Sequence, residues 1–358
     1  MFATWRRRIV SIPFYLGLCV VLLAAFPLLI IPLAVVDLAR GSPWVLVRCL
    51  SFATFYLCCE VIGIVVSFAF WLAQLVSAVR DRGRYLARHL ALQRWWARTL
   101  YWGAERIFSM RTEVEGDADI GDGPIILFIR HASMGDTLLP AVILSDRHGY
   151  ALRYVLKREL LWDPCLDVVG NRLPNYFVRR GSGESAHEIA EVRRLMEHLG
   201  AREGVLIYPE GTRFTAAKHD RAIARLEQSG QTELAARART FRNILPPRLG
   251  GPLALLEGNQ NADAVFCAHV GFEGAATIGA LLSGSLVGQV IRVRFWRVPF
   301  AAIPRDRAAQ ITWLYDQWAR VDAFVRRHAR CLSSVSAVAP RRETDVDADA
   351  DREKRPPP

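Results

Sequence analysis

The sequence predicts an α/β fold preceded by a hairpin of two membrane-embedded helices, and three observations carry that prediction. Two apolar stretches, Ile9 to Val36 and Cys49 to Val79, hold one charged side chain between them, Glu60. Further on, short apolar runs bounded by Gly-rich turns alternate with helical patterns, as expected for strands buried in an open sheet. Two of these runs, 124–129 and 204–207, each end in a polar cluster, and the carboxyl ends of strands are where an open α/β sheet places its ligands.

The chain has 358 residues, 52% of them hydrophobic, enough for one large domain and an accessory segment. A net charge of +11 implies anionic partners: anionic lipid, a phosphorylated substrate or nucleic acid. The first eighty residues favour lipid. At about 1.5 Å per residue, either apolar stretch is long enough to cross a hydrocarbon core of about 30 Å. Arg6, Arg7 and Arg8 precede the first stretch; Arg80, Arg82, Arg84 and Arg88 follow the second; Asp37, Arg40 and Arg48 lie between. This basic excess at both outer ends predicts that both face the cytoplasm. Pro13, Pro27 and Pro32 leave open a kinked, re-entrant pair. A cleaved signal peptide is not expected, because the apolar region is too long and a second follows it.

Glu60 is expected to pair with Arg48 or to face the other helix as a protonated acid, with an intramembrane functional acid as the sharper alternative. Four of the seven cysteines lie in the apolar segments, and no CxxC or Cys/His metal spacing occurs, so they read as reduced, packed side chains.

From Asp81 to Met110, Tyr85, Arg88, Trp95, Trp96, Arg98, Tyr101, Trp102 and Arg106 recur at helical spacing. They suit a helix at the headgroup level. Packing against the following domain is the plainer reading, and single-stranded nucleic acid the remote one.

The globular domain begins near Arg111. Its first strand of interest leads into Arg130-His131-Ala132-Ser133-Met134-Gly135-Asp136. His131 and Asp136 are five apart and would fall on different faces of one helix. They meet only if His131 closes the strand and Asp136 starts a helix beyond a turn, which Gly135 and the helix-like run from Thr137 to Ile143 allow. A carboxylate on one imidazole nitrogen leaves the other as a base able to deprotonate a substrate hydroxyl.

A strand over 150–156 follows, ending at Lys157, and then the stretch from Gly170 to Arg180. Ser185 to Glu188 form a capping box, opening an amphipathic helix through Ile189, Val192, Leu195 and Met196 that stops at Gly200. His187 and His198 read as surface residues. The strand to Ile207 delivers Tyr208-Pro209-Glu210-Gly211-Thr212-Arg213, in which Gly211 admits a ligand close to the backbone and Arg213 can grip a phosphate. Glu210 would orient Arg213 or bind a substrate hydroxyl; a structural ion pair between the two is the plain alternative.

Residues 218–242 read as polar helix and connection, and Pro246, Pro247 and Arg248 as a rigid turn. Ala264 to Ala268 is a buried strand. Val290 to Val298 alternates apolar and basic residues, fitting an edge strand with one wet basic face. Ile303 to Arg330 is a helix with core positions at Ile311, Leu314, Trp318, Val321 and Phe324. After Ser333 the composition turns to Arg, Asp, Glu and Pro, which predicts disorder. No internal repeat occurs.

The spacing His131-x4-Asp136 followed by Glu210-Gly211-Thr212-Arg213 resembles the glycerolipid acyltransferase family typified by lysophosphatidic acid acyltransferases. Tyr208 to Thr215, Lys218-His219, Leu245 to Gly251, Arg297 to Phe300, Ile303 to Arg305 and the helix through Trp313, Trp318, Asp322 and Phe324 are similar to its lysophosphatidic acid and lysocardiolipin acyltransferase subgroup. The resemblance spans roughly residues 120–327. It implies a domain around a mixed central sheet, divided as a membrane hairpin (1–80), an interfacial helix (81–110), a catalytic domain (111–332) and a charged tail (333–358).

It also implies an O-acyltransferase that moves a fatty acyl group from acyl-CoA or acyl carrier protein to a lysophospholipid hydroxyl. The preferred acceptor is 1-acyl-sn-glycerol-3-phosphate, giving phosphatidic acid, with lysocardiolipin-like acceptors as the alternative. His131 and Asp136 would be catalytic. Glu210, Gly211, Thr212, Arg213, Lys157, Arg179 and Arg180 would bind substrate, with one of the two adjacent arginines on the phosphate. Backbone N–H groups near Gly135 and Asp136 would meet the oxyanion. No cofactor or metal is expected, and the partners are the lysophospholipid, the donor and membrane lipid, with no nucleic acid. The enzyme would work on the cytoplasmic face of a membrane.

Arg130 stands where many relatives have Asn, which bears on acceptor preference. Two rivals remain. The stretch from His131 to Gly135 resembles a nucleophile elbow lacking its first Gly, which would make Ser133 and His269 part of a lipase triad. A non-catalytic membrane scaffold is the other.

Overall fold

The two apolar stretches fold into one hairpin laid against the rest of the chain. In a computed structural model that describes residues 2–76, 81–179 and 186–336, α1 runs Phe2–Ala39 and α2 Val45–Val76. Arg80, Arg180, Ser185 and the tail from 337 onward lie outside the described residues. The helix α1 continues through its three prolines. Asp37 fixes the reversal: its carboxylate accepts from Ser42 Oγ at 2.5 Å and from the backbone N–H groups of Leu46 and Val47 at 3.2 and 3.0 Å. It thereby caps the positive end of α2.

Helix α3, Arg82–Phe108, starts at Asp81, which accepts the Arg84 N–H at 3.0 Å, and stops at Ser109 in the left-handed region. It buries His89, Leu92, Ala97, Leu100, Tyr101 and Phe108, so this basic-aromatic helix packs along one whole face. Small residues let α2 come close. A Cβ at Gly103 would overlap the Phe55 ring, and one at Gly63 would stand 2.6 Å from Cys165 Sγ.

The inward face of α2 carries Leu57, Glu60, Ile64 and Ser67 at helical spacing. Glu60 pairs neither with Arg48 nor across to α1. It accepts Trp96 Nε1–H at 2.8 Å and the Cys165 N–H at 3.2 Å, tying α2 to α3 and to α4, Pro164–Gly170. Arg48 instead donates to the carbonyl of Ile107 and to Ser109 Oγ. At the start of α1, Arg7 and Arg8 converge on the buried carboxylate of Asp167 in α4, at 2.7 and 3.2 Å.

The central sheet has seven strands in the order β1 (Arg111–Glu115), β7 (Val290–Val298), β6 (Asp263–Val270), β2 (Ile125–Ile129), β5 (Glu203–Ile207), β3 (Ala151–Lys157) and β4 (Tyr176–Val178). Five neighbours from β6 to β4 run parallel; β7 is antiparallel to β6 and parallel to β1, so the sheet is mixed. The strand β2 is buried at every position, as a continuous apolar run covered on both faces should be. Ile126 and Phe128 face one layer with α5 (Ala186–Arg194), α8 (Gly250–Glu257) and α10 (Arg307–Ser336). Ile125, Leu127 and Ile129 face the other, with α3 and the short helical turns after β2. The remaining helices are α6, Ala216–Gln228, α7, Thr232–Ala238, and α9, Ile278–Leu282.

Three further expectations change. The helix expected after Gly135 is a 3-10 turn, Gly135–Leu138, followed by a π-helix, Ala141–Arg147, because Pro140 has no N–H for a regular ladder. The helix expected to reach Gly200 ends at Arg194, and the following turns place His198 in the left-handed region. The alternating strand β7 is not an edge, since β1 covers it; one of its basic residues, Arg292, pairs with Glu113 of β1 at 2.9 Å.

Candidate active site

Adjacent strands β2 and β5 send their connections to opposite faces of the sheet: Leu139, Val142 and Ile143 after β2 pack in the α3 layer, and Phe241, Leu253 and Leu255 after β5 in the α10 layer. Such a change of face opens a crevice at the carboxyl ends of the two strands. Both polar clusters emerge there.

His131 closes β2. Its Nδ1 lies 3.1 Å from Asp136 Oδ1, and Asp136 is fully buried while the His131 side chain stays 13% exposed. The other oxygen, Oδ2, accepts the backbone N–H groups of Ala132 and Ser133, both at 2.6 Å. Three donors thus converge on one carboxylate, which holds the turn shut and the imidazole in one orientation. The Tyr208 ring packs on the His131 ring, centroids 4.8 Å apart, from the end of β5.

His269, at the end of β6, flanks Asp136 on the other side with Nε2 3.8 Å from Oδ2. That nitrogen also donates to the Arg130 carbonyl at 2.8 Å. Burial lowers the His269 pKa against the pull of Asp136, keeping it a neutral donor. Ser133 is buried, and its Oγ accepts the Gly135 N–H at 3.0 Å. A Ser133–His269 nucleophile pair is therefore not assembled. The Gly135 N–H, expected to face an oxyanion, is already engaged by Ser133.

Glu210 behaves differently from either expectation. It is 1% exposed, and its two oxygens accept the backbone N–H groups of His131 and Leu245, each at 2.9 Å, rather than reaching Arg213 or the crevice. Burial pushes its pKa up to about 7, opposed by Arg130 and the two N–H donors. Arg213 donates to the Ala276 carbonyl. Gly211 takes φ +63 beneath the Arg248 side chain, a left-handed position that favours glycine. Lys218 Nζ donates to Thr212 Oγ1 at 3.1 Å and to the Arg213 carbonyl at 3.0 Å, bracing this loop.

Arg130 reaches the opposite way, donating to the His269 carbonyl at 2.6 Å, to Glu273 Oε1 at 2.7 Å and to the Asn243 carbonyl at 3.3 Å. Burial acts to raise the Glu273 pKa, but Arg130 holds it below the usual carboxylate value. Neither Glu273 nor the bracing role of His269 was read from sequence, because both depend on which strands lie beside β2.

Lys157 ends β3 and Arg179 follows β4, so both join the row formed by the carboxyl ends of β6, β2, β5, β3 and β4. At about 4.8 Å per strand, β4 lies roughly 14 Å from β2.

A family model described as Acyltransferase matches residues 111–246, which hold both clusters. The 1-acyl-sn-glycerol-3-phosphate acyltransferase epsilon of Mus musculus is 22% identical over 57% of this chain and 57% of its own length. The 1-acyl-sn-glycerol-3-phosphate acyltransferase delta of Homo sapiens is 24% identical over 56% of this chain and 52% of its own. The chain thus spans about half the length of the curated relatives it matches. Among solved structures, the 1-acyl-sn-glycerophosphate acyltransferase PlsC from Thermotoga maritima aligns over 74% of this chain and 98% of that one, at 11% identity and a TM-score of 0.44.

Proposed function

We propose, from the premise that the chain is a glycerolipid acyltransferase-family protein through residues 111–246, that it acylates the free hydroxyl of a lysophospholipid at a membrane surface. The observation that carries this reading is the pair His131 Nδ1–Asp136 Oδ1 at 3.1 Å, with the carboxylate buried and the imidazole reachable. With Nδ1–H donated to Asp136, Nε2 accepts the proton of the acceptor hydroxyl. The oxygen attacks the thioester carbonyl of the donor, and the tetrahedral intermediate collapses to expel a thiolate. His131 then returns its proton to that sulfur. A thiolate leaves without further activation, so the reading needs no metal or cofactor.

Arg213, Lys157 and Arg179 are assigned to the acceptor phosphate, with Gly211 and Thr212 shaping the loop; Arg180 is a further candidate outside the described residues. Glu210 is assigned to positioning His131. The relatives' names favour 1-acyl-sn-glycerol-3-phosphate as acceptor, with phosphatidic acid as product; lysocardiolipin-like acceptors are the alternative. The donor is acyl-CoA or acyl carrier protein. The working division is a membrane hairpin (1–80), an interfacial helix (81–110) and a catalytic domain (111–332).

The hairpin reads best as lying in one leaflet on the cytoplasmic side rather than crossing the bilayer. Helix α1, at about 1.5 Å per residue, is about 57 Å long, well beyond a core of about 30 Å. Helix α2 touches the domain from Val45, beside Gly284, to Ser67, which accepts from Arg172, so a spanning α2 would pull the domain into the bilayer. Exposed Met134 in the catalytic turn and Ile278 and Leu282 on α9 extend the apolar surface toward the site.

The test uses membranes carrying wild type or His131→Ala, given labelled acyl-CoA with lysophosphatidic acid, with other lysolipids, or with no acceptor. His131-dependent phosphatidic acid supports the reading. Product from a different lysolipid keeps the mechanism and changes the acceptor. Fatty acid release that survives His131→Ala sinks it.

A further inference from the structure

The loop that joins β6 to β7, residues 271–289, runs between the catalytic turn and the hairpin, and acyl transfer as derived so far gives it no part. Glu273 is its one charged side chain, held by Arg130 and by the Gly271 N–H, each at 2.7 Å. Residues 274–290 carry no charge, in a chain in which 23% of residues do.

The loop closes on itself and is gripped on two sides. A Cβ at Gly274 would stand 2.6 Å from the Ser285 backbone, so 274–285 form a compact Ω-loop. On the hairpin side, a Cβ at Gly284 would meet Val45 at 2.6 Å, and the Leu281 carbonyl lies 3.9 Å from Cys49 Sγ. On the catalytic side, the Phe272 ring sits where a Cβ at Gly135 would approach it to 2.9 Å. There the Ala276 carbonyl also accepts from Arg213 Nη1. Thr277, next in the chain, caps α9 by accepting the Ala280 N–H at 3.1 Å. The peptide that holds Arg213 is therefore the one that leads into α9.

Between these anchors the tip is bare. Ile278 is 78% exposed and Leu282 47%, four residues apart and so on one face of α9. Large apolar side chains exposed together mark a surface for lipid or for protein. A protein partner would find no charged group here to set its register, whereas lipid needs none. The apolar exposure also continues across the Val45 contact onto the hairpin, where Leu38 and Trp44 are exposed.

We propose that α9 dips Ile278 and Leu282 into the lipid surface on which the hairpin lies, and that this contact turns the 276–277 peptide and passes the Arg213 guanidinium from the Ala276 carbonyl to the acceptor's phosphate. The proposal rests on the acyl-transfer reading, since it takes Arg213 as a phosphate ligand. Away from lipid, the carbonyl engages one of the donors of Arg213 that phosphate would use. Burying two large aliphatic side chains is worth at least as much as one hydrogen bond to a charged group, so lipid has the free energy to shift this contact. Lipid favours the turned form because only that form seats both side chains. Arg213 is then released where lysolipid resides.

The experiment places full-length wild type and Ile278→Gln/Leu282→Gln in nanodiscs of phosphatidylcholine. Amide hydrogen exchange over 277–283 is expected to be about tenfold slower in wild type than in the variant. Equal exchange overturns the lipid contact. With lysophosphatidic acid and acyl-CoA, the variant's acceptor KM should rise about tenfold at nearly unchanged kcat, the scale of one hydrogen bond to a charged group. In an Arg213→Gln background the same pair of substitutions should change KM less than about twofold, because residues that act through one another are not additive. Additive effects overturn the link to Arg213 and leave α9 a plain anchor. Wild type that acylates no lysolipid would refute the acyltransferase reading and with it the role of Arg213. The exchange arm needs no turnover and decides the lipid contact by itself.

Discussion

The Oε1 atom of Glu210 accepts the backbone N–H of His131 at 2.9 Å, so the acid of one cluster fixes the backbone of the other. With its pKa pushed up to about 7, Glu210 keeps a proton in the folded protein that it has already lost when unfolded, where a Glu titrates near about 4.3. The folded state thus binds more protons between those values, and stability falls as pH rises from about 4.3 to about 7, then levels. Glu210→Gln cannot titrate and should lack this fall. Denaturant midpoints between pH 5 and 8 check it, and curves that run parallel for the two proteins would refute it.

The buried carboxylate of Asp136 makes two separable predictions. His131→Ala should lower kcat by about 10²–10⁴-fold with little loss of stability, since its side chain only caps the turn. Asp136→Ala should do the same to kcat and also destabilise, by about 1–3 kcal/mol for each of the Ala132 and Ser133 N–H groups left unpaired. Thermal unfolding beside initial rates distinguishes the two effects.

Arg130 and Glu273 form an asymmetric pair, with side chains 4% and 49% exposed. Removing the guanidinium strips donors from the His269 and Asn243 carbonyls as well, so Arg130→Met should cost about 3 kcal/mol or more. Glu273→Gln, on the half-exposed side, should cost about 1 kcal/mol or less. Equal costs would contradict this account.

Close approach of α2 to the domain depends on Gly63. In Gly63→Val the new side chain meets Cys165 Sγ, and overpacking of this kind costs about 1–3 kcal/mol. The hairpin should lift from α3 and α4 before the sheet unfolds, exposing Trp96. A red shift of tryptophan fluorescence at lower denaturant than the loss of circular dichroism would register it.

Much of this was legible because it is local. Continuous apolar runs gave β2 and β5, and the five-residue spacing of His131 and Asp136 required the strand-turn geometry that Oδ1 and Nδ1 now occupy. Other features depended on neighbours distant in sequence. The basic alternation of β7 suits an edge strand equally well, and only the pairing with β1 decides otherwise. Glu60 looked like half of an ion pair with Arg48 or a protonated acid facing the other helix; its partners are Trp96, a backbone N–H at 165 and the Asp163 carboxyl, on elements whose docking no periodicity reveals. Glu210 was read as orienting or pairing with Arg213 or binding a substrate hydroxyl, whereas the turn aims it inward at the N–H groups of His131 and Leu245.

The pairing of Arg7 and Arg8 with Asp167 bears on how the chain is made. The partners are 160 and 159 residues apart, so the arginines leave the ribosome first and their carboxylate follows on the order of ten seconds later at about 5–20 residues per second. During that interval nothing from α4 is available to receive them, and the apolar hairpin waits with one end unanchored. Its seating is therefore a late event in assembly, gated by the arrival of α4 from the middle of the chain rather than by the order in which the two hairpin helices are synthesised.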